Sequence, residues 1–132
     1  MGTSSRVGIA RGGRIYSVRI NYDGYVKGVG HMLATHYDTE EKVDELVRHG
    51  EIRSLDPEPE YYEEKSDHYK YDVDQSTVDF IRRVLQGSCE HYYVMEHGVW
   101  MYGNVYVENR EYTFIPLTEA LATANAKDDT DF

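Results

Sequence analysis

The sequence predicts an α+β fold, built as one antiparallel sheet of about five to six strands with about three to four helices packed on one face. Strand-like segments at both ends of the chain enclose a helical middle, and the hydrophobic pattern changes from helical spacing to alternation near residue 90. Short turns join the C-terminal strands, and such turns require antiparallel pairing. A length of 132 residues suits one domain, which we place at residues 1–126, followed by a disordered tail at 127–132.

Two N-terminal strands are predicted over residues 6–11 and 14–20, because both runs contain β-branched and alternating apolar residues. Gly12 and Gly13 between them suit a two-residue hairpin turn, since glycine accepts positive φ. A further turn is centred on the Asp23-Gly24 pair. The chain is therefore expected to begin with a β-hairpin.

Four helices are predicted over residues 31–37, 39–49, 76–86 and 117–126. Asp38 is the expected N-cap of the second helix, because a glutamate follows three residues later as in a capping box. The third helix has apolar residues at helical spacing that we expect to face the core: Val78, Ile81, Val84 and Leu85.

Four C-terminal strands are predicted over residues 91–95, 99–102, 104–107 and 112–115, separated by turns that contain glycine or asparagine. Pro116 is expected to end the sheet, because proline cannot donate a ladder hydrogen bond. An edge strand among these hairpins could pair two copies of the chain, so a homodimer stays open. Large aromatic residues alternate along these strands and are predicted to pack across them: Trp100, Tyr102, Tyr106 and Tyr112.

The charge balance disfavours several classes of partner. Fourteen basic and 24 acidic residues give a net charge of −10, which argues against direct binding to nucleic acid or to anionic membrane surfaces. No apolar run is long enough to span a membrane, and the start of the chain lacks the apolar core of a signal peptide. Cys89 is the only cysteine, so no disulfide forms within the chain and the cytoplasm is the expected location.

The charges are distributed unevenly along the chain. Residues 1–27 carry five basic residues and one acid, whereas residues 56–79 carry nine acids and two lysines. Either the two regions lie together and neutralise each other, or the asymmetry marks a binding face.

The segment 56–74 is expected to be a long exposed loop, acidic and rich in tyrosine. Carboxylates spaced by tyrosines can imitate a nucleic-acid backbone and its bases in front of a basic groove, and tyrosine is favoured in interfaces. The alternative is a solvated acidic loop without a partner. The candidate partner-binding residues are Glu58, Glu60, Tyr61, Tyr62, Glu63, Glu64, Asp67, Tyr69, Tyr71 and Asp72.

A second candidate site lies around the turn between the second strand and the first helix. Tyr22 and Tyr25 could stack on a ring while the amides of Gly28 and Gly30 receive an anion, which would make a nucleotide pocket. The glycine spacing matches neither a dinucleotide fingerprint nor a P-loop, and the alternative is a tight turn whose tyrosines pack on the core. The candidate ligand-binding residues are Arg19, Tyr22, Asp23, Tyr25, Lys27, Gly28 and Gly30.

The sequence lacks a metal-binding or catalytic pattern, so we expect no enzyme activity, no metal and no cofactor. His31 and His36 are five residues apart, which turns them to different sides of a helix, unlike a zinc pair at i and i+4. Cys89 and His91 could form a thiol and base on one strand face, but no oxyanion glycine motif accompanies them. A lone cysteine is more often a buried apolar residue.

Parts of the sequence resemble a family of small, mostly uncharacterised proteins from bacteriophages. The matching motifs are Arg-Val-Gly-Ile at 6–9, Asp-Gly-Tyr at 23–25, Gly-Val-Gly at 28–30 and Gly-Glu-Ile-Arg-Ser-Leu at 50–55, together with the hairpin at 92–100. Family members usually carry a His-Trp pair before Asp-Gly-Tyr, where this chain has Asn21 and Tyr22. The resemblance implies phage origin and expression in a host-cell cytoplasm, and it implies no established reaction.

We therefore expect a phage accessory protein that binds a host protein and inhibits or redirects it by steric and electrostatic blocking through the segment 56–74. Host defence, including CRISPR interference, is one target class for such a protein. The alternative expectation is a protein that binds and sequesters a nucleotide at the turn over residues 22–30.

Overall fold

The structure is a computed structural model that describes residues 3–58, 60–61, 71–107 and 112–126. It confirms the α+β class, with one sheet and four helices. The strands are β1 (Ser5–Arg11), β2 (Arg14–Ile20), β3 (Ile52–Ser54), β4 (Glu60–Tyr61), β5 (Asp72–Asp74), β6 (His91–Glu96), β7 (Val99–Asn104) and β8 (Ile115–Pro116). The helices are α1 (His31–His36), which follows directly on a π-helical turn (Val26–Gly30), α2 (Glu40–Arg48), α3 (Thr77–Gln86) and α4 (Leu117–Ala126).

The sheet is mixed rather than purely antiparallel, with the order β4-β3-β2-β1-β6-β7-β8 and with β5 also paired to β2. The two long hairpins, β1–β2 and β6–β7, are antiparallel as predicted. They meet through a parallel ladder that runs from Ser5 opposite His91 to Ile9 opposite Met95. Parallel pairing needs a long connection, which the helical middle of the chain supplies. The short turns therefore fixed the strand direction only within each hairpin.

Helices cover both faces of the sheet, so the prediction of a single covered face was wrong. α1, α2 and α4 pack on the side to which Val7, Ile9 and Tyr93 point. α3 packs on the opposite side, against Tyr92 and Val94. Because successive residues of a strand point to opposite faces, the adjacent Tyr92 and Tyr93 enter different cores. Burial on both sides explains why five of the six residues of β6 are buried.

The N-cap of α2 is Thr39 rather than the predicted Asp38. The Thr39 hydroxyl accepts a hydrogen bond from the Lys42 amide at 3.2 Å. Asp38 instead pairs with the Lys42 ammonium group at 3.1 Å, one turn along the chain. The N-cap is therefore one residue later than predicted, and Asp38 forms an ion pair beside it.

α3 is rotated relative to the prediction. Its buried residues are Phe80, Ile81 and Val84, whereas Val78 is 67% exposed and Leu85 is 43% exposed. The large ring of Phe80 takes the central position over the sheet, and this leaves two of the four predicted core residues on the outside.

The final strands differ from the prediction: β7 extends beyond the predicted 99–102, the predicted strand over 104–107 does not form, and the last strand is shorter than the predicted 112–115. β7 ends at Asn104, whose side-chain oxygen accepts a hydrogen bond from the Tyr106 amide at 3.0 Å, so the chain turns there. Residues 112–114 belong to no strand, and β8 retains only Ile115–Pro116. Pro116 does end the sheet.

Cross-strand packing of the C-terminal aromatic residues is confirmed for Trp100 and Tyr102, which are both buried. Tyr102 lies opposite Tyr93 in the ladder, with ring centres 5.1 Å apart. Tyr112 packs against the core on the α3 side. Tyr106 is 66% exposed, because the chain has already left the sheet at that point.

Candidate functional site

Strands near both ends of the acidic segment 56–74 join the part of the sheet on one side of β2, one directly and one through β3. Since β1 occupies one edge of β2, β3 and β5 share the other. Near its start the segment forms β4, which pairs with β3 so that Tyr61 lies opposite Ile52. At its end it forms β5, where Asp72 lies opposite Ser17 of β2. The chain between β4 and β5 is thus tethered at both ends to one part of the sheet.

Two tyrosine contacts reinforce these attachments. At the start of the segment, the Tyr37 hydroxyl donates a hydrogen bond to the carbonyl of Asp56 at 2.6 Å. At the end, the ring centre of Tyr71 lies 6.0 Å from that of Tyr16 on β2. Tyr71 keeps 41% of its surface exposed, so it is positioned by packing and still presents a face to solvent.

The alternation of β5 separates its side chains into two groups. Asp72 and Asp74 turn to the α3 side of the sheet, where they contact Arg83. Val73 turns the other way and is 37% exposed. The end of the acidic segment therefore directs two carboxylates inwards and leaves an apolar side chain outside.

The two inward carboxylates join a network of charged and polar groups. Arg83 Nε lies 2.9 Å from Asp74 Oδ2, and Arg83 Nη1 lies 3.2 Å from Asp72 Oδ1. The buried Arg6 pairs with Asp72, and its Nε donates to Ser17 Oγ at 2.9 Å. Burial lowers the pKa of the Arg6 guanidinium, and Asp72 opposes that shift. The hydrogen bond with Asp74 raises the pKa of Arg83.

This network shows that part of the uneven charge is neutralised within the protein. Arg6 belongs to the basic N-terminal region, and its partner Asp72 was among the candidate partner-binding residues. Glu58 is exposed, and Glu60 and Tyr61 form β4. The other candidates lie outside the described residues: Tyr62, Glu63, Glu64, Asp67 and Tyr69.

At the second candidate site, the backbone amides that were assigned to an anion donate within the turn itself. Gly28 N donates to Tyr25 O at 3.0 Å, and Gly30 N approaches the same oxygen at 3.5 Å. Val29 N donates to Asp23 O at 2.8 Å. A Cβ at Gly28 would overlap that carbonyl oxygen, so glycine is required here by the tight turn.

The structure brings together only some of the side chains of this second site. Tyr22 is 43% exposed, and the Tyr25 hydroxyl lies 3.4 Å from Asp23 Oδ1. Lys27 lies within the π-helical turn. Arg19, in contrast, lies on the α3 side of the sheet, where it donates to Ser4 Oγ at 3.0 Å and to the Gly87 carbonyl. Its Nε also donates to Asn21 Oδ1 at 2.8 Å, directly before Tyr22.

Cys89 and His91 turn to different cores. The Cys89 thiol is buried 3.6 Å from Arg19 Nη1 on the α3 side, and burial raises its pKa. His91 Nδ1 lies 2.6 Å from the Tyr102 hydroxyl oxygen, and their rings are stacked with centres 5.8 Å apart. Burial lowers the pKa of His91 to about 4. The pair therefore does not form the thiol–base arrangement considered above.

Within the described ranges, no three histidine, cysteine, aspartate or glutamate side chains come together as a metal site. No helix in that part of the chain has the length and apolar character needed to cross a membrane. Comparison of the chain with family models, with curated proteins and with solved structures found no match in any of the three. The resemblance to phage proteins stays a prediction.

Proposed function

We propose that this chain is a phage accessory protein that acts by binding a host protein. It would inhibit or redirect that protein, in host defence or in another host process, by steric and electrostatic blocking in the host cytoplasm. The observation that supports the proposal is the attachment of the segment 56–74 to the sheet near both of its ends, through β4 to β3 and through β5 to β2. An acidic segment held in this way can present its charges from a fixed base.

The chemistry of the segment favours a basic protein surface as partner. Residues 56–71 contain six acids and two lysines, a net charge of −4, together with four tyrosines. Such a segment repels negatively charged surfaces and attracts a positively charged groove. At 0.1 M salt this attraction acts over a distance of about 10 Å. Tyrosine adds a large contact area at a low cost in conformational entropy.

Attachment at both ends also favours tight binding. A segment that is free at one end loses more conformational entropy when it is ordered by a partner than a segment closed into a loop. Tyr71, held against Tyr16, is already positioned before binding. Asp72 contributes to binding indirectly, because its ion pair with Arg6 fixes the C-terminal end of the segment to the sheet.

The test is affinity capture from host lysate with wild type and two matched variants. In the first variant, four acids of the segment become glutamine: Glu58, Glu60, Glu63 and Glu64. In the control, four exposed acids elsewhere become glutamine: Glu40, Glu41, Glu45 and Glu119. Both variants lose the same charge, and thermal melting checks that both remain folded.

We expect a stoichiometric host protein to be captured by the wild type and by the control, and to be lost with the segment variant. Capture that survives neutralisation of the segment contradicts the proposal. Equal loss with both variants also contradicts it, because binding would then follow net charge and not the segment.

Nucleotide binding at the 22–30 turn is the alternative proposal, and the exposed ring of Tyr22 is the observation that favours it. Native mass spectrometry of the purified protein tests this alternative through a retained small ligand. A folded Tyr22→Ala variant with undiminished nucleotide affinity would contradict it.

A further inference from the structure

A cleft of about 230 Å³ opens at the end of β2 opposite to the Tyr22 turn. It lies on the α3 side of the sheet, between the tips of the β1–β2 and β6–β7 hairpins. Its floor is a row of apolar side chains from four adjacent strands: Ala10, Ile15, Val94 and Met101. The parallel ladder between β1 and β6 produces this row, because it sets the two hairpin tips side by side.

The cleft exists because α3 covers only part of this face. The helix begins at Thr77, which lines the cleft, and its buried residues Phe80, Ile81 and Val84 lie further along. Phe114 forms a wall of the cleft. At the hairpin tip, Gly12 has φ of 56°, and apart from its two chain neighbours no residue has an atom within 4 Å of the position of its missing Cβ, so the entrance stays open.

The two arginines at the entrance, Arg11 and Arg14, differ in their partners. Arg11 pairs with Asp44 of α2 at 3.1 Å. Arg14 Nε donates to Gln75 Oε1 at 3.1 Å, and no carboxylate of the described residues pairs with Arg14. The Gln75 contact orients the guanidinium and leaves its terminal nitrogens for a further acceptor. An arginine fork matches the two oxygens of a carboxylate.

We propose that this cleft binds a small aromatic carboxylate, with its ring on the apolar floor and its carboxylate at Arg14. An apolar cavity of about 150 Å³ accepts one benzene ring, so the volume here suits one ring with a short acidic substituent. Glu96 of the neighbouring hairpin also lines the cleft and repels an anionic group, so the ligand carboxylate must lie at Arg14 and away from Glu96. The site is separate from the acidic segment and does not depend on the proposed function.

The probe is phenylacetate, titrated into ¹⁵N-labelled protein while amide chemical shifts are followed. The neutral analogue phenylacetamide tests the requirement for charge. Arg14→Met removes the guanidinium and keeps an apolar side chain, and Ala10→Leu fills the floor. Arg82→Met is the matched control, because Arg82 is an exposed arginine on α3 that does not line the cleft.

We expect saturable shifts at Gly12, Gly13 and Thr77, with a dissociation constant on the order of 1 mM. Arg14→Met should weaken binding about tenfold, phenylacetamide should bind about tenfold more weakly, and Ala10→Leu should abolish the shifts. Arg82→Met should bind like the wild type. Shifts that do not saturate, or equal affinity in wild type and Arg14→Met, would overturn the proposal, as would an equal loss with Arg82→Met.

Discussion

Arg6 of β1 and Asp72 of β5 form an ion pair across the intervening strand β2. The Arg6 side chain is 7% exposed and that of Asp72 is 41% exposed. The buried Arg6 charge therefore relies on Asp72 for compensation, whereas Asp72 is also solvated by water. Ser17 of β2 lies between them and accepts a second hydrogen bond from Arg6. The pair links the first strand of the chain to the end of the acidic segment.

Asp72→Asn should lower the free energy of unfolding by about 2 kcal/mol, because it leaves a buried guanidinium without its counter-charge. Urea denaturation of wild type and variant measures this change. The double variant with Arg6→Met should recover part of the loss, since no unpaired charge then remains. Strict additivity of the two single changes would show that the residues are not coupled.

His91 should make the protein less stable as the pH falls from about 6.5 towards about 4. Its pKa is lowered to about 4 by burial, from 6.5, so the unfolded chain takes up the proton first. We expect a loss of about 2 kcal/mol in the free energy of unfolding between pH 7 and pH 5. Urea denaturation at both pH values measures it.

His91→Gln should remove most of that pH dependence, whatever its effect on stability at pH 7. His97 is the matched control, because its side chain is 92% exposed, and His97→Gln should leave the dependence unchanged. If His91→Gln and wild type lose the same free energy between the two pH values, another group is responsible.

Ser5 and Ser17 are both fully buried strand residues, and we expect opposite effects when each becomes alanine. Ser5 Oγ makes no hydrogen bond to any described residue, so Ser5→Ala removes a buried unsatisfied hydroxyl and should stabilise by about 1 kcal/mol. Ser17→Ala removes the acceptor of Arg6 and should destabilise by about 2 kcal/mol. Thermal and urea denaturation compare the two variants, and destabilisation by Ser5→Ala would indicate a partner for its hydroxyl.

Gly103→Ala should destabilise the protein by about 2 kcal/mol through overpacking. A Cβ at Gly103 would overlap the ring of Tyr92, which lies opposite in the β6–β7 ladder. That ring cannot move freely, because it is buried and its hydroxyl donates to the Thr113 carbonyl at 3.0 Å. Adding Tyr92→Leu should relieve the clash, and urea denaturation of the single and double variants tests this coupling. Equal destabilisation by Gly103→Ala in both backgrounds would exclude the ring as its cause.

The elements that the sequence predicts well have a local signal. The hairpin strands β1 and β2 flank a Gly-Gly turn, β6 and β7 flank His97-Gly98, and α4 follows directly on Pro116. β3 and β5 were missed because each has three residues and is held by its pairing with β2. The Asp-Val-Asp sequence of β5 is typical of a loop. Its place in the sheet becomes understandable only from the ion pairs of its carboxylates with Arg6 and Arg83.

Among the candidate residues, sequence alone located the acidic segment but not its attachments. The Arg6–Asp72 pair depends on a contact between distant parts of the chain, which no local pattern records. One signal was available, since Arg6 is flanked by Ser5 and by the apolar or small residues 7–10, and an arginine buried at such a position requires a partner. The contacts of Arg19 with Ser4 and the Gly87 carbonyl follow from the alternation of β2, and nearness in sequence to Tyr22 does not predict them.

The parallel ladder between β1 and β6 has a consequence for the order of events during synthesis. β1 is synthesised about 80 residues before β6, its parallel partner in the sheet. Until β6 has been synthesised and paired, Val7 and Ile9 lie on a strand edge that has no partner. A chain stopped at residue 90 should therefore bind a hydrophobic dye more strongly than the full chain, and equal dye binding would contradict this. Synthesis of the β6–β7 hairpin is therefore the step that covers the exposed edge of β1.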